Sequence, residues 1–248
     1  YVSWNWKASD SAAAANTDGT INSTVSANTT AGFSIVSYTG TGSAATVGHG
    51  LGVKPKFVIS KSRTASYTYT QWYVHHEDLS EDHHLYLNLT NAQGDGEGDY
   101  FDDSGFTSTV FAVGDDIYGP NVNTDAYIAY CFSEVEGYSK VGSYKGNGNA
   151  NGTFVYTGFE PAFVLSKSSS NAEAWNIFDN KRDTDNYVHH LIAPNTNTEE
   201  NNSTSARRLD FLSNGFKLRG SNDTINGSGK TYIYLALAKT PFKYSTAR

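Results

Sequence analysis

The chain has 248 residues and a formal net charge of −7, with one cysteine and no methionine. That charge, without a basic run, gives no surface to track phosphates, so nucleic acid is not expected as a partner. A lone cysteine leaves no intrachain disulfide, and no apolar stretch approaches the roughly 20 residues of a membrane helix, so no membrane insertion is expected.

The 17 Tyr, 13 Phe and 4 Trp sit among abundant Ser, Thr, Asn and Gly, a usage that favours short strands and turns over helices. The opening Tyr1-Val-Ser-Trp-Asn-Trp-Lys-Ala alternates like a half-buried strand and matches in kind Tyr127-Ile-Ala-Tyr-Cys-Phe-Ser-Glu and Tyr232-Ile-Tyr-Leu-Ala-Leu-Ala-Lys. It reads as the terminal strand of a preceding repeat, and Tyr1 is not expected to be a translation start. Residues 8–31 are a Ser/Thr/Asn/Ala-rich connector with one plausible strand, 20–26; its helix-prone Asp10-Ser-Ala-Ala-Ala-Ala-Asn has no amphipathic face. Residues 33–38 alternate apolar and polar, 57–59 form a short apolar run, and 71–75 carry Trp72 and Val74 in alternation. Alternation returns at Leu85-Tyr-Leu-Asn-Leu, Val110-Phe-Ala-Val and Tyr127-Ile-Ala-Tyr-Cys-Phe. Short strands between Gly, Asn and Asp clusters, with no crossover helices, predict an antiparallel β-sandwich. Cys131, inside the last of these strands, reads as a small buried hydrophobe.

From residue 138 the chain repeats itself. Gly32-Phe-Ser-Ile-Val-Ser-Tyr-Thr-Gly-Thr-Gly and Val53-Lys-Pro-Lys-Phe-Val-Ile-Ser-Lys-Ser return as Tyr138-Ser-Lys-Val-Gly-Ser-Tyr-Lys-Gly-Asn-Gly and Phe159-Glu-Pro-Ala-Phe-Val-Leu-Ser-Lys-Ser. Tyr38 and Tyr144, Gly40 and Gly146, Gly42 and Gly148, Pro55 and Pro161, and Lys61 and Lys167 all stand 106 positions apart. Trp72 answers to Trp175, Gly105-Phe106 to Gly215-Phe216, and Tyr127 to Tyr232. Units of about 105 residues are whole domains rather than solenoid turns of roughly 20 to 50. The expected fold is all-β, with two tandem homologous antiparallel β-sandwich domains of jelly-roll or lectin-like kind. Their bounds are 32–137 and 138–248, the second with a short C-terminal tail, after the strand and connector of 1–31. The paired glycines are expected in tight turns at positive φ, and both tryptophans in the core.

Positions where the copies part are candidates for function. Between Lys61 and Trp72 the first copy is longer, and Tyr67, Tyr69 and Tyr73 form a candidate ligand surface, since tyrosines stack on sugar faces with little entropy to lose. Gly94-Asp-Gly-Glu-Gly-Asp offers Asp95, Glu97 and Asp99 as oxygen ligands for calcium, although the spacing is not that of an EF-hand. No other cofactor is expected. Arg207 and Arg208 end a loop of the second copy where the first has Asp102 and Asp103, opposite charges that suggest contact between copies or neighbouring subunits. Three histidine doublets, His75-His76, His83-His84 and His189-His190, invite a metal reading, but adjacent residues on a strand face opposite ways, so a doublet does not by itself chelate one ion. They read as surface polar residues, with a metal left to His75 and His84 meeting across a hairpin or to copies gathered from neighbouring chains. No Gly-x-Ser-x-Gly elbow, zinc-hydrolase helix or phosphate loop appears, so an enzyme is not expected.

Ala31-Gly-Phe-Ser-Ile-Val-Ser-Tyr-Thr-Gly, Val47-Gly-His-Gly-Leu-Gly, Tyr127-Ile-Ala-Tyr-Cys-Phe-Ser-Glu-Val-Glu-Gly-Tyr-Ser-Lys and Leu209-Asp-Phe-Leu-Ser-Asn-Gly-Phe-Lys-Leu-Arg carry a resemblance. Over nearly the whole chain they resemble a repeated β-domain of large tail-fibre-like structural proteins in marine tailed bacteriophages. The resemblance implies a virion component on the particle surface or tail, oligomeric, with other virion proteins and a bacterial surface glycan as partners. Two alternatives stand beside host attachment. One is a capsid-decorating or fibre-building protein with virion partners alone; the other is a glycan-degrading tailspike, which needs two carboxylates about 5 or about 6.5 to 9.5 Å apart.

Overall fold

The computed structural model of the chain describes residues 2–64, 71–80, 82–94, 100–115, 118–200 and 206–240. The protein is all-β: its strands pair antiparallel, and the one helical element among the described residues is the 3-10 turn Asp103–Gly105. Contacts divide the chain into two units, Tyr1–His84 with Gly94–Glu134, and Leu85–Gln93 with Val135–Arg248.

The first half carries β1 (Ala14–Asn16), β2 (Ser23–Asn28), β3 (Phe33–Thr39), β4 (Ala45–Gly48), β5 (Phe57–Ser62), β6 (Trp72–His76), β7 (Leu85–Tyr86), β8 (Val110–Val113) and β9 (Ala126–Phe132). In the first unit, hydrogen bonding follows the order β1-β2-β3-β9-β5-β6, and β4 pairs with β8. Period-2 alternation decides which residues turn inward: Tyr127, Ala129 and Cys131 of β9 are buried, as are Val36 and Tyr38 of β3. Burial pushes the Cys131 thiol up to about 12, an inert small hydrophobe.

The second half carries β10 (Ser139–Lys145), β11 (Phe154–Tyr156), β12 (Pro161–Ser168), β13 (Asn176–Asp179), β14 (Leu191–Ile192), β15 (Leu209–Leu212), β16 (Gly215–Leu218) and β17 (Thr231–Ala238). They form the sheets β10-β17-β12-β13-β14 and β11-β16-β15. Tyr144, Val164, Phe178, Phe216 and Tyr232 belong to the core that these strands enclose. The stretch Leu85–Gln93 groups here because the Trp175 indole donates to Tyr86 O (2.8 Å) and Gln93 N–H donates to Ser169 O (2.9 Å).

Each unit has the same internal lock. Tyr38 stacks on Tyr127 (centroids 5.2 Å, 14°) and meets Phe111 edge-on; Tyr144 stacks on Tyr232 (5.0 Å, 13°) and meets Phe216 edge-on. Such ring pairs contribute about 0.5 to 1.5 kcal/mol beyond burial. The Tyr38 hydroxyl donates to Pro120 O (2.6 Å), and that of Tyr144 to Ile225 O (2.8 Å). A buried asparagine then ties the loops together. Asn121 accepts from Thr41 N–H and donates to Ser43 O and Gly114 O. Asn226 accepts from Asn147 N–H and donates to Asn149 O and Gly220 O.

Several expectations change on contact with the structure. Gly42 and Gly148 do hold positive φ, 70° and 66°, but Gly40 and Gly146 serve close approach instead. A Cβ there would lie 2.2 Å from Val122 O and 2.3 Å from Gly227 O. Phe111, not Phe106, takes the place of Phe216, since Gly105 belongs to the 3-10 turn while Gly215 opens β16. Trp175 is buried at 1% exposure, whereas Trp72 is half-buried. The helix-prone alanines end in strand β1, paired with β2, because a segment without an amphipathic face gains more from a ladder than from a solvated helix. Residues 2–8 form no strand, for alternation alone makes none without a partner edge among the described residues.

Candidate functional site

Two surfaces of the second unit collect exposed side chains of functional character. The first is the outer face of β11, where Phe154 and Tyr156 are 44% and 64% exposed while Val155 between them is buried. Val155 lies opposite Phe216, so the core contact fixes which face its neighbours present. Tyr156 pairs with Gly215 and Phe154 with Lys217. A Cβ on Gly215 would lie 2.1 Å from Val155 O and 3.1 Å from the Phe154 ring, so the glycine is required first for the close approach of the two strands and also leaves the ring its place.

The same position in the first unit is closed. Val47 of β4 lies opposite Phe111, which puts Thr46 and Gly48 where the second unit has Phe154 and Tyr156. The connector lies along that edge: Ile21 N–H donates to Thr46 O (2.9 Å), Thr46 N–H to Thr20 Oγ1 (2.9 Å), and Ser23 Oγ to Gly48 O (2.8 Å). A side chain at Gly48 would strike Asn16 Oδ1. Among the described residues, nothing covers the β11 edge in this way.

The second surface lies between β13 and β14. Asp179 accepts from Lys181 and Arg182 N–H and pairs with the Arg182 guanidinium, and these bonds hold its carboxyl below the usual range against the upward push of burial. The turn that follows brings in Asp183, whose Oδ2 accepts the backbone N–H of both His189 (2.6 Å) and His190 (3.0 Å). Nδ1 of His189 lies 2.9 Å from that oxygen and Nδ1 of His190 4.0 Å. Exposed Tyr187 borders the cluster, with the Arg208 guanidinium over its ring at 4.1 Å and the His189 ring at 6.0 Å.

Of the ligand residues expected from sequence, Tyr67 and Tyr69 lie outside the described residues, as do Asp95, Glu97 and Asp99. Tyr73 is corrected: at 3% exposure it is a core residue of β6, its ring against Tyr100 and its hydroxyl donating to Tyr118 O, so it offers no free face for stacking. Asp102 caps the 3-10 turn through Ser104 N–H, and Asp103 faces buried His75 Nδ1 at 2.8 Å. Arg208 is spent on Tyr187, and Arg207 is half-exposed. Three of these four charged residues therefore have partners inside their own units. Asp183 carries no sequence signal of its own, and the strand rule that parts neighbouring side chains does not apply to His189-His190, which precede β14. The doublet carried a sequence signal: His83-His84 and His189-His190 stand 106 positions apart, each directly before a leucine that opens a strand.

Antiparallel sheets with a recurring tyrosine–asparagine lock define an all-β protein whose exposed features sit on strand edges and loops. Residues 1–241 match DUF7483, described as a domain of unknown function, and the chain belongs to that family. The chain matches no curated protein and no solved structure.

Proposed function

We propose that the chain is a structural module of a tailed-phage virion, part of a tail fibre or surface appendage, that helps attach the particle to a bacterial surface glycan. The two units are one β-sandwich copied in tandem, jelly-roll-like in kind, and the β11 face of the second copy is the contact surface. The resemblance of the repeat phrases to phage tail-fibre-like domains supports the setting. The recurrence of the lock at Tyr38, Tyr127 and Asn121 and at Tyr144, Tyr232 and Asn226 supports the duplication.

One observation carries the glycan reading. Phe154 and Tyr156 stand exposed on one face of an edge strand with Gly215 opposite, while Lys217 supplies a donor beside them. Aromatic rings take the apolar face of a sugar at little entropic cost, and neighbouring polar groups set its orientation. Phe154→Ala with Tyr156→Ala is expected to weaken binding on a bacterial polysaccharide array about tenfold, roughly 1.4 kcal/mol, with the fold intact. Antibody labelling of intact particles is expected to find the chain on the tail or surface. An array without any binder, or particles without the chain, would remove the corresponding half of the reading.

A further inference from the structure

The cluster at Asp183 has a geometry that the phage reading does not use. One ligand atom each from Asp183, His189 and His190 lie within 4.8 Å of one another, the one such group of three among the described residues. Consecutive residues converge here because His189 and His190 precede β14 rather than lie within it, and one carboxylate oxygen gathers both of their backbone N–H groups. Asp183 is 9% exposed at its side chain, and the two imidazoles are 33% and 29% exposed. The carboxylate is therefore held in place from inside while the ring nitrogens stay within reach of an ion from solvent.

A metal ion about 2.0 to 2.2 Å from each of three N and O ligands needs those ligands roughly 3 to 4 Å apart. Here Asp183 Oδ2 lies 2.9 and 4.0 Å from the two Nδ1 atoms, and all three ligand atoms fall within 4.8 Å. Two imidazoles and one carboxylate suit borderline ions such as zinc, cobalt and nickel, whereas magnesium and calcium call for more oxygen. An ion seated here replaces the 2.9 Å contact between His189 Nδ1 and Asp183 Oδ2, and the other acceptors near the two Nδ1 atoms, Tyr187 O and Arg182 O, are both 3.4 Å away.

The first unit provides an internal control. Its doublet His83-His84 also precedes a strand, but His84 is buried against Tyr100 (4.1 Å), and burial drops its imidazole to about 4.

We propose that Asp183, His189 and His190 bind one divalent transition-metal ion, of the zinc class, through the carboxylate and both imidazoles, leaving a further coordination position open to water or to a donor group of a ligand.

The test uses the full, untagged chain titrated with cobalt(II) and with zinc(II). The proposal expects one equivalent to bind, with cobalt giving the absorption of a low-symmetry nitrogen–oxygen site and zinc shifting the imidazole nitrogen resonances of His189 and His190. His189→Gln and His190→Gln are each expected to weaken binding at least about tenfold. Asp183→Asn does the same while its amide oxygen still accepts the two N–H groups. His83→Gln leaves binding unchanged. Shifts confined to other histidines, or binding that survives His189→Gln in a folded chain, would overturn the proposal. Because the nitrogen resonances are read on the unaltered chain, a variant that fails to fold does not leave the question open.

Discussion

β4 and β11 hold the same place in their units, each pairing a central valine with the phenylalanine that meets the locking tyrosine, yet one is closed and the other open. At β4 the connector lies along the edge, and a glycine at position 48 makes room for Asn16. At β11 the outward positions carry Phe154 and Tyr156. An exposed strand edge is a template for other chains, and the first unit blunts it with a segment of its own. The difference teaches that core and lock define the scaffold, while what lies on the edge strand decides whether a face is structural or available.

The strongest way to break this comparison is to remove the lock. Asn121→Ala and Asn226→Ala each strand buried backbone groups, so each is expected to destabilise its own unit by about 4 kcal/mol, read by hydrogen exchange during urea unfolding. Effects differing more than about twofold would deny the two locks a common role.

Acid sharpens the contrast next, because buried His84 belongs to the first unit alone. Its folded pKa is lowered from 6.5 to about 4, so the unfolded chain binds the extra proton in between. The favourable contribution of the neutral ring is complete above about pH 6.5 and is lost as pH falls toward 4, about 3 kcal/mol at most. The first unit is therefore expected to lose more stability than the second over that range, and His84→Gln to flatten its profile.

Gly19→Ala, whose Cβ would lie 2.4 Å from Thr46 O, is expected to lift the connector off β4 at a cost of about 2 kcal/mol, measured by thermal unfolding. The smallest effect belongs to the open edge. Tyr156→Ala is expected to change stability by less than about 0.5 kcal/mol, since the ring is mostly in solvent.

Much of the scaffold was legible in the sequence because period-2 alternation and a fixed spacing of 106 both survive in the residues that pack, Tyr38 and Tyr144 foremost. The match of Phe106 to Phe216 failed because a 3-10 turn precedes β8, and strand register and ring contacts together show that Phe111 is the counterpart. Asn121 and Asn226 lie in Gly- and Asn-rich loops, where nothing local distinguishes an asparagine that ties loops together from one that faces water. The aromatic alternation of Phe154-Val-Tyr reads as any strand does; whether its outer face is covered depends on a connector remote in sequence. Likewise the rule that neighbours point apart holds within strands, and His189-His190 escape it because Asp183 draws their backbone inward just before β14.

Hydrogen exchange at four amides tests the contrast between the edges most directly. The β11–β16 register turns the N–H groups of Phe154 and Tyr156 away from β16, whereas Thr46 N–H donates to the connector and Val155, lying between the two, faces its partner strand. The open-edge account predicts slow exchange at Thr46 and Val155 and exchange at least about tenfold faster at Phe154 and Tyr156. Protection at Phe154 and Tyr156 equal to that at Thr46 would mean that both edges are covered, and would contradict it.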